Sequence, residues 1–166
     1  MSNQPQYSEK SRFPQWVFWL IISIPISIYA YLYFHPEERD PFDWIGLLIA
    51  AAVGIFLYYI KLTVTINPNG IAYQYPPFHN KSNLLPWEKI KSIELMKINP
   101  LREFGGWGLR YGRLGAAYTT RGRYILHIEK TEGQAINLTI AQPEEFINAI
   151  AQQSWPVTPK IPENVI

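Results

Sequence analysis

Hydrophobic residues are gathered in this chain rather than dispersed. From Trp16 to Phe34 the run WVFWLIISIPISIYAYLYF holds no charge, and neither does WIGLLIAAAVGIFLYYI from Trp44 to Ile60. As helices these runs would reach roughly 28 Å and roughly 25 Å, close to the hydrocarbon thickness of a bilayer. Aromatic rings mark their ends: Trp16 and Trp19, then Tyr29, Tyr31 and Tyr33, on the first; Trp44, then Tyr58 and Tyr59, on the second. Such amphipathic rings favour the headgroup level. The pattern predicts two membrane-spanning helices, 16–34 and 44–60, within a hairpin covering 13–61. A buried helical pair in a soluble protein would need more apolar covering surface than the rest of a 166-residue chain offers. A cleaved signal sequence fits less well, because the first run exceeds a signal core and Ile28 is wrong for a small-x-small site ending at Ala30.

Smaller features qualify the hairpin. Pro25 removes a backbone donor mid-helix and predicts a kink, with Ser23 and Ser27 placed to satisfy freed groups. Gly46, Ala50 and Gly54 recur every four residues, a small-residue stripe that allows close helix packing, either within the hairpin or between copies. Lys10 and Arg12 precede the first helix and Lys61 follows the second. The connection from His35 to Asp43 carries Arg39 against Glu37, Glu38, Asp40 and Asp43. The positive-inside rule therefore predicts a multi-pass protein of the cytoplasmic membrane with both termini, including a tail over 1–12, in the cytoplasm.

Beyond Lys61 the period shortens to two. Leu62, Val64 and Ile66 alternate with threonines, Asn67-Pro68-Asn69-Gly70 suits a type I turn, and Ile71, Tyr73 and Tyr75 resume the alternation. The stretch 76–83 reads as loop. Further strands are predicted from Ile90 with Ile93 and Leu95 inward, near Trp107–Tyr111 and Ala116–Thr120, and over Arg123–Lys130 and Gln134–Ile140 as a hairpin about Glu132-Gly133. Pro143, Glu144 and Glu145 suit the first turn of a closing helix whose stripe is Phe146, Ile147 and Ile150. A Pro-rich tail, 154–166, reads as extended.

Seven short strands and one amphipathic helix form the element order of a pleckstrin-homology-like (PH-like) barrel. The segments INPNGIAYQYPPF, LLPWEKIKSIEL, FGGWGLR and GRYILHIEKTEGQAINLTIAQPEEFINAI resemble bacterial PH-like domains, which often follow paired membrane helices. The resemblance spans roughly Leu62 to Ala151, in a domain expected over 62–153, and implies an antiparallel barrel of about seven strands capped by a C-terminal helix. It implies no catalytic signature. In lipid-binding PH domains basic residues surround the first hairpin turn. NPNG has none, so unspecific attraction to anionic lipid is expected in place of phosphoinositide recognition.

The candidate chemistry is sparse. Without cysteine, disulfides, thiolate metal sites and cysteine catalysis are excluded. A net charge of +2 gives no case for nucleic acid. His35, His79 and His127 are scattered along the chain, and GGWGLRYGRLG lacks the G-K-[ST] of a phosphate loop. The chain is therefore expected to be a non-enzyme without cofactor or metal.

Two features point to binding. From Lys81 to Arg123 nine cations face three carboxylates. Of these, Lys89, Lys91, Arg110, Arg113, Arg121 and Arg123 are the candidates for holding the domain against an anionic leaflet. Trp107, between glycines, fills a barrel end, or anchors a peptide or lipid if exposed. The expected function is a membrane-anchored binding module for a protein partner or anionic lipid headgroups. The alternative is a structural homo-oligomer or an accessory subunit of a membrane complex.

Overall fold

The computed structural model describes residues 7–38, 40, 42, 44–112, 114–151, 156–157 and 159–161. The chain forms two units: a helical unit, Phe13–Ile60, and a sheet unit that joins Met1–Arg12 to Lys61–Ile166.

In the helical unit, α1 runs Gln15–Phe34 and α2 runs Trp44–Tyr59. α1 is long and apolar enough to cross a membrane, and none of its residues is buried. α2 is equally apolar but has 16 residues, about 24 Å of helix. A 3₁₀ turn at Pro36–Glu38 follows α1. Pro25 lies inside α1, where it leaves the Ile21 carbonyl without its usual donor. Ser23 and Ser27 do not supply that carbonyl; they donate to Leu20 O at 3.0 Å and Ser23 O at 2.8 Å. Of the small-residue stripe only Gly54 is buried. A Cβ there would sit 3.4 Å from both Ile22 and Phe18, so Gly54 serves contact with α1. Gly46 is exposed with open space around it, and Ala50 is half-buried.

Among the described residues the sheet unit has nine strands, two more than the sequence predicts, in two open sheets. The first sheet has the order β1 (Tyr7–Arg12), β2 (Lys61–Asn67), β3 (Gly70–Gln74), β4 (Asn83–Pro86), all antiparallel. β1 and β4 are the additions: one lies in the expected tail 1–12, the other at the border of the expected loop. β1 pairs with β2 from Tyr7↔Ile66 to Arg12↔Lys61, so the two neighbouring strands flank the whole helical unit in sequence. The β2–β3 turn closes at Asn67↔Gly70. Gly70 has φ +147°, and a Cβ there would lie 2.1 Å from Leu85 O, so β4 could not pass beside any other residue.

The second sheet has the order β5 (Ile90–Lys97), β8 (Tyr124–Lys130), β9 (Ile136–Ile140), β7 (Gly115–Thr119), β6 (Gly108–Gly112). Pairing is antiparallel except between β7 and β9, which run parallel. A short helix unforeseen in the sequence, α3 (Pro100–Phe104), precedes β6. The Asn99 side chain accepts from Leu101 N at its start, and Gly105 ends it in the left-handed region at φ 68°. The tail touches the sheet as well. Leu95 N donates to Lys160 O and Lys160 N to Ile93 O, both at 2.9 Å, which covers part of the β5 edge.

Core side chains come from both sheets, among them Leu62, Val64, Ile66, Ile71, Leu95, Leu126, Ile128, Leu138 and Ile140. β9 is buried along its whole length. α4 (Pro143–Ala151) buries Phe146, with Ile147 half-buried; the side chain of Ile150 lies outside the described residues. The ring of Phe146 meets Tyr7 edge-on at 5.5 Å.

Beside that contact lies Glu9, only 5% exposed. It accepts the Tyr7 hydroxyl, Ala141 N at 2.8 Å and Gln142 N at 3.3 Å, just ahead of α4. Burial, reinforced by the Glu9 carboxylate, holds the Tyr7 phenol far above its ordinary pKa, so Tyr7 stays a donor. Removing the carboxylate strands two backbone donors. Glu9→Ala should destabilise the sheet unit by about 2–4 kcal/mol. Hydrogen exchange should show Ala141 and Gln142 losing protection while the β8 amides are less affected. Full protection at both amides in the variant would contradict the assignment.

Candidate functional site

Strand register sorts the basic residues into two groups. Arg12 and Lys61 are Cα partners at the ends of β1 and β2, where the chain departs for and returns from the helices. Arg121 N donates to Arg12 O at 3.1 Å, Arg123 O accepts from Ile98 N at 2.7 Å, and Lys97 is paired with Tyr124. Arg12, Lys61, Lys97, Arg121 and Arg123 thus belong to the same end of the sheet unit. Arg12, Lys97, Arg121 and Arg123 are exposed, while Lys61 is half-buried. Exposed Leu101 of α3 and Phe78 of the β3–β4 connection extend from strand ends on this side.

The other sequence candidates are elsewhere. Lys89 and Lys91 lie at the start of β5, the opposite end, where Lys91 meets Glu129 at 3.2 Å. Arg110 is mid-way along edge strand β6, opposite Ala117. Arg113 lies outside the described residues. The nine-cation segment is therefore not one face. Arg12, Lys61 and Lys97 join the basic end only through the fold: Arg12 by strand pairing with Lys61 and a backbone hydrogen bond from Arg121, Lys97 by pairing with Tyr124, none of which the sequence shows.

Trp107 is half-buried rather than openly exposed. The backbone on both sides of it is pinned, since the Thr119 hydroxyl lies 3.3 Å from Gly106 O and 3.0 Å from Gly108 O. That fits filling the end of the fold better than a peptide anchor.

The β3–β4 connection contains an aromatic nest. His79 packs against Tyr118 at 5.2 Å and Tyr73 at 5.8 Å, while Tyr75 stacks on Phe78 and donates to Thr119 O at 3.2 Å. Burial raises the Tyr73, Tyr75 and Tyr118 phenols above their ordinary range, so these rings are neutral packing elements. His79 is thereby built into the loop.

His127 has a different setting. It lines a cavity of about 310 Å³ at the sheet end away from Arg12 and Lys61. The other walls are Gly112, Leu114 and Gly115 at the β6–β7 turn, Glu129 on β8, and Gln134 and Ala135 ahead of β9. Gly115 has φ +92°, and a Cβ there would stand 2.2 Å from Ala135 O. Its absence lets Ala116 N reach Ala135 O at 3.0 Å and draws the walls together. His127 Nδ1 is 2.7 Å from Oδ1 of Asn137, a fully buried side chain on β9. Sequence alternation placed His127 off the core face but had no way to show the buried amide beneath it. Among the described residues no three His, Asp or Glu side chains gather as metal ligands.

No known protein family, curated protein or solved structure matches this chain.

Glu129 accepts from the Ser92 hydroxyl at 3.0 Å and pairs with Lys91; these hydrogen bonds and the Lys91 charge hold its carboxyl below the ordinary carboxylate range. The interaction is present above that range and is lost as pH falls through the depressed value. In a carboxyl NMR titration, Glu129 should titrate below the ordinary carboxylate range. Lys91→Ala should move it upward, and an unchanged midpoint would show that Lys91 plays no part.

Proposed function

We propose that this protein is a membrane-anchored, non-catalytic binding module whose basic end rests on an anionic cytoplasmic leaflet. The observation that carries the reading is the pairing of Arg12 with Lys61. Strands hydrogen-bonded to each other leave a bilayer on one side, so a chain that crosses by α1 has to cross back before β2. α2 is the only segment between them with the composition to do so, and about 24 Å is short but workable with local thinning. On this reading the termini are cytoplasmic and the acidic connection with Glu37 and Asp40 is outside.

The two sheets and closing helix are read as a PH-like barrel with a strand added before the anchor, supported by the order of elements and the sequence resemblance. Cations at the anchored end are placed to meet lipid phosphates, each worth about 1 kcal/mol near an anionic surface. Leu101 and Phe78 add apolar contact at headgroup depth. Assembly of several copies through the helices has less support, since Gly54 is occupied within its own hairpin.

Because the chain has no cysteine, single labels test both parts. An impermeant maleimide should reach cysteines at Ser8 and Thr131 only from the cytoplasmic side and one at Asp40 only from the opposite side. Labelling of all three from one side would refute the double crossing. A fluorophore on Leu101→Cys should be quenched by headgroup spin labels in phosphatidylglycerol bilayers. Quenching should fall at least twofold in phosphatidylcholine and in Arg121→Glu/Arg123→Glu, and equal quenching throughout would remove the lipid contact.

A further inference from the structure

The buried amide of Asn137 is fixed by two backbone carbonyls and in turn orients one side chain. Its Nδ2 donates to Leu114 O at 2.7 Å and to Ala116 O at 3.2 Å, using both protons. The amide is therefore fixed with Oδ1 toward His127. An amide oxygen only accepts, so the proton of the 2.7 Å contact is on His127 Nδ1. In the neutral ring this leaves Nε2 as an acceptor, on a side chain that lines the cavity. Rings held in this way are set in tautomer and direction before any ligand arrives.

What surrounds the ring gives the site its sign. Glu129 is two residues along β8 on the same face and lines the same cavity; Glu94 stands opposite His127 in register. Lys91 is bound to Glu129 and offsets one of the two charges. A neutral imidazole acceptor beside a carboxylate offers acceptors and negative charge. The complement is a compact cation rich in donors and free of acceptors. Room for it exists because Gly112 and Gly115 face each other at the close of the β6–β7 turn without side chains. At about 310 Å³ and open to solvent, the depression is at the lower end of ligand pockets and is filled by a small molecule.

We propose that this cavity binds a small protonated primary amine, whose ammonium donates to His127 Nε2 and to the Glu129 carboxylate. The site is independent of the membrane reading, as it uses residues of the sheet unit alone.

The test titrates the full chain in detergent with n-butylammonium chloride at neutral pH, following the imidazole ¹⁵N resonances of His127 and the heat of binding. Sodium chloride at equal ionic strength and sodium butyrate serve as probes of salt and of the alkyl chain. Butylammonium should shift the Nε2 resonance saturably, and neither control should. Glu129→Gln should weaken binding about tenfold, and His127→Ala should abolish it. Lys91→Met, which removes the competing ammonium, should tighten binding, an outcome that a merely structural Lys91–Glu129 pair does not give. A shift reproduced by sodium chloride, unchanged affinity in Glu129→Gln, or weaker binding in Lys91→Met would each overturn the proposal.

Discussion

The antiparallel pairing of β1 with β2 governs much of this molecule, because it ties together two stretches that a long apolar excursion separates in sequence. β2 would otherwise be an edge strand with unsatisfied backbone groups, next to a hairpin marginal on its own. With β1 in place the first sheet gains a fourth strand, and Tyr7 and Glu9 are carried to the start of α4. The pairing also brings Arg12 beside Lys61, the nucleus of the basic end. One ladder thus settles where the helices attach, where the charge concentrates and what holds the closing helix.

The polar interior of β1 follows from its neighbours. A buried carboxylate is costly unless hydrogen bonds replace its hydration. Glu9 meets that condition with a phenol and two backbone amides, the amides being donors that no helical carbonyl would satisfy. Ser11, also buried, is hydrogen-bonded to the Thr120 hydroxyl across the two sheets. Sequence-distant segments are therefore joined by directional contacts as well as by apolar burial, and directional contacts set register more narrowly.

These same contacts explain which elements could be read along the chain. α1 and α2 are unbroken apolar runs, while β2, β3, β5, β8, β9 and α4 carry apolar residues at the period of their structure, and the expected limits fall within a few residues of those observed. β1 is hidden because its inward positions after Tyr7 are Glu9 and Ser11, which read as surface. β4 is short and ends at Pro86, and α3 is a single capped turn, so neither has a period to detect. The basic residues were visible as a segment, but a segment is not a surface. Strand direction sends Lys91 and Arg123 to opposite ends of the sheet, and a backbone hydrogen bond from the β7–β8 link gathers Arg121 with Arg12 across more than a hundred residues. The His127 cavity was illegible for a related reason: it depends on an amide and two glycines from three separate strands.

The link between Glu9 and the amides of Ala141 and Gln142 has a consequence for biosynthesis. β1 is made before its partner β2, which emerges only after both apolar helices, and before its second anchor, which follows β9. Until then Tyr7 and the strand's hydrogen-bonding edge have nowhere to go, while loop closure over such a span delays their capture. A chain ending before residue 141 would have its first strand docked on one side only. Docking of the first strand on its second side therefore waits for Ala141 and Gln142.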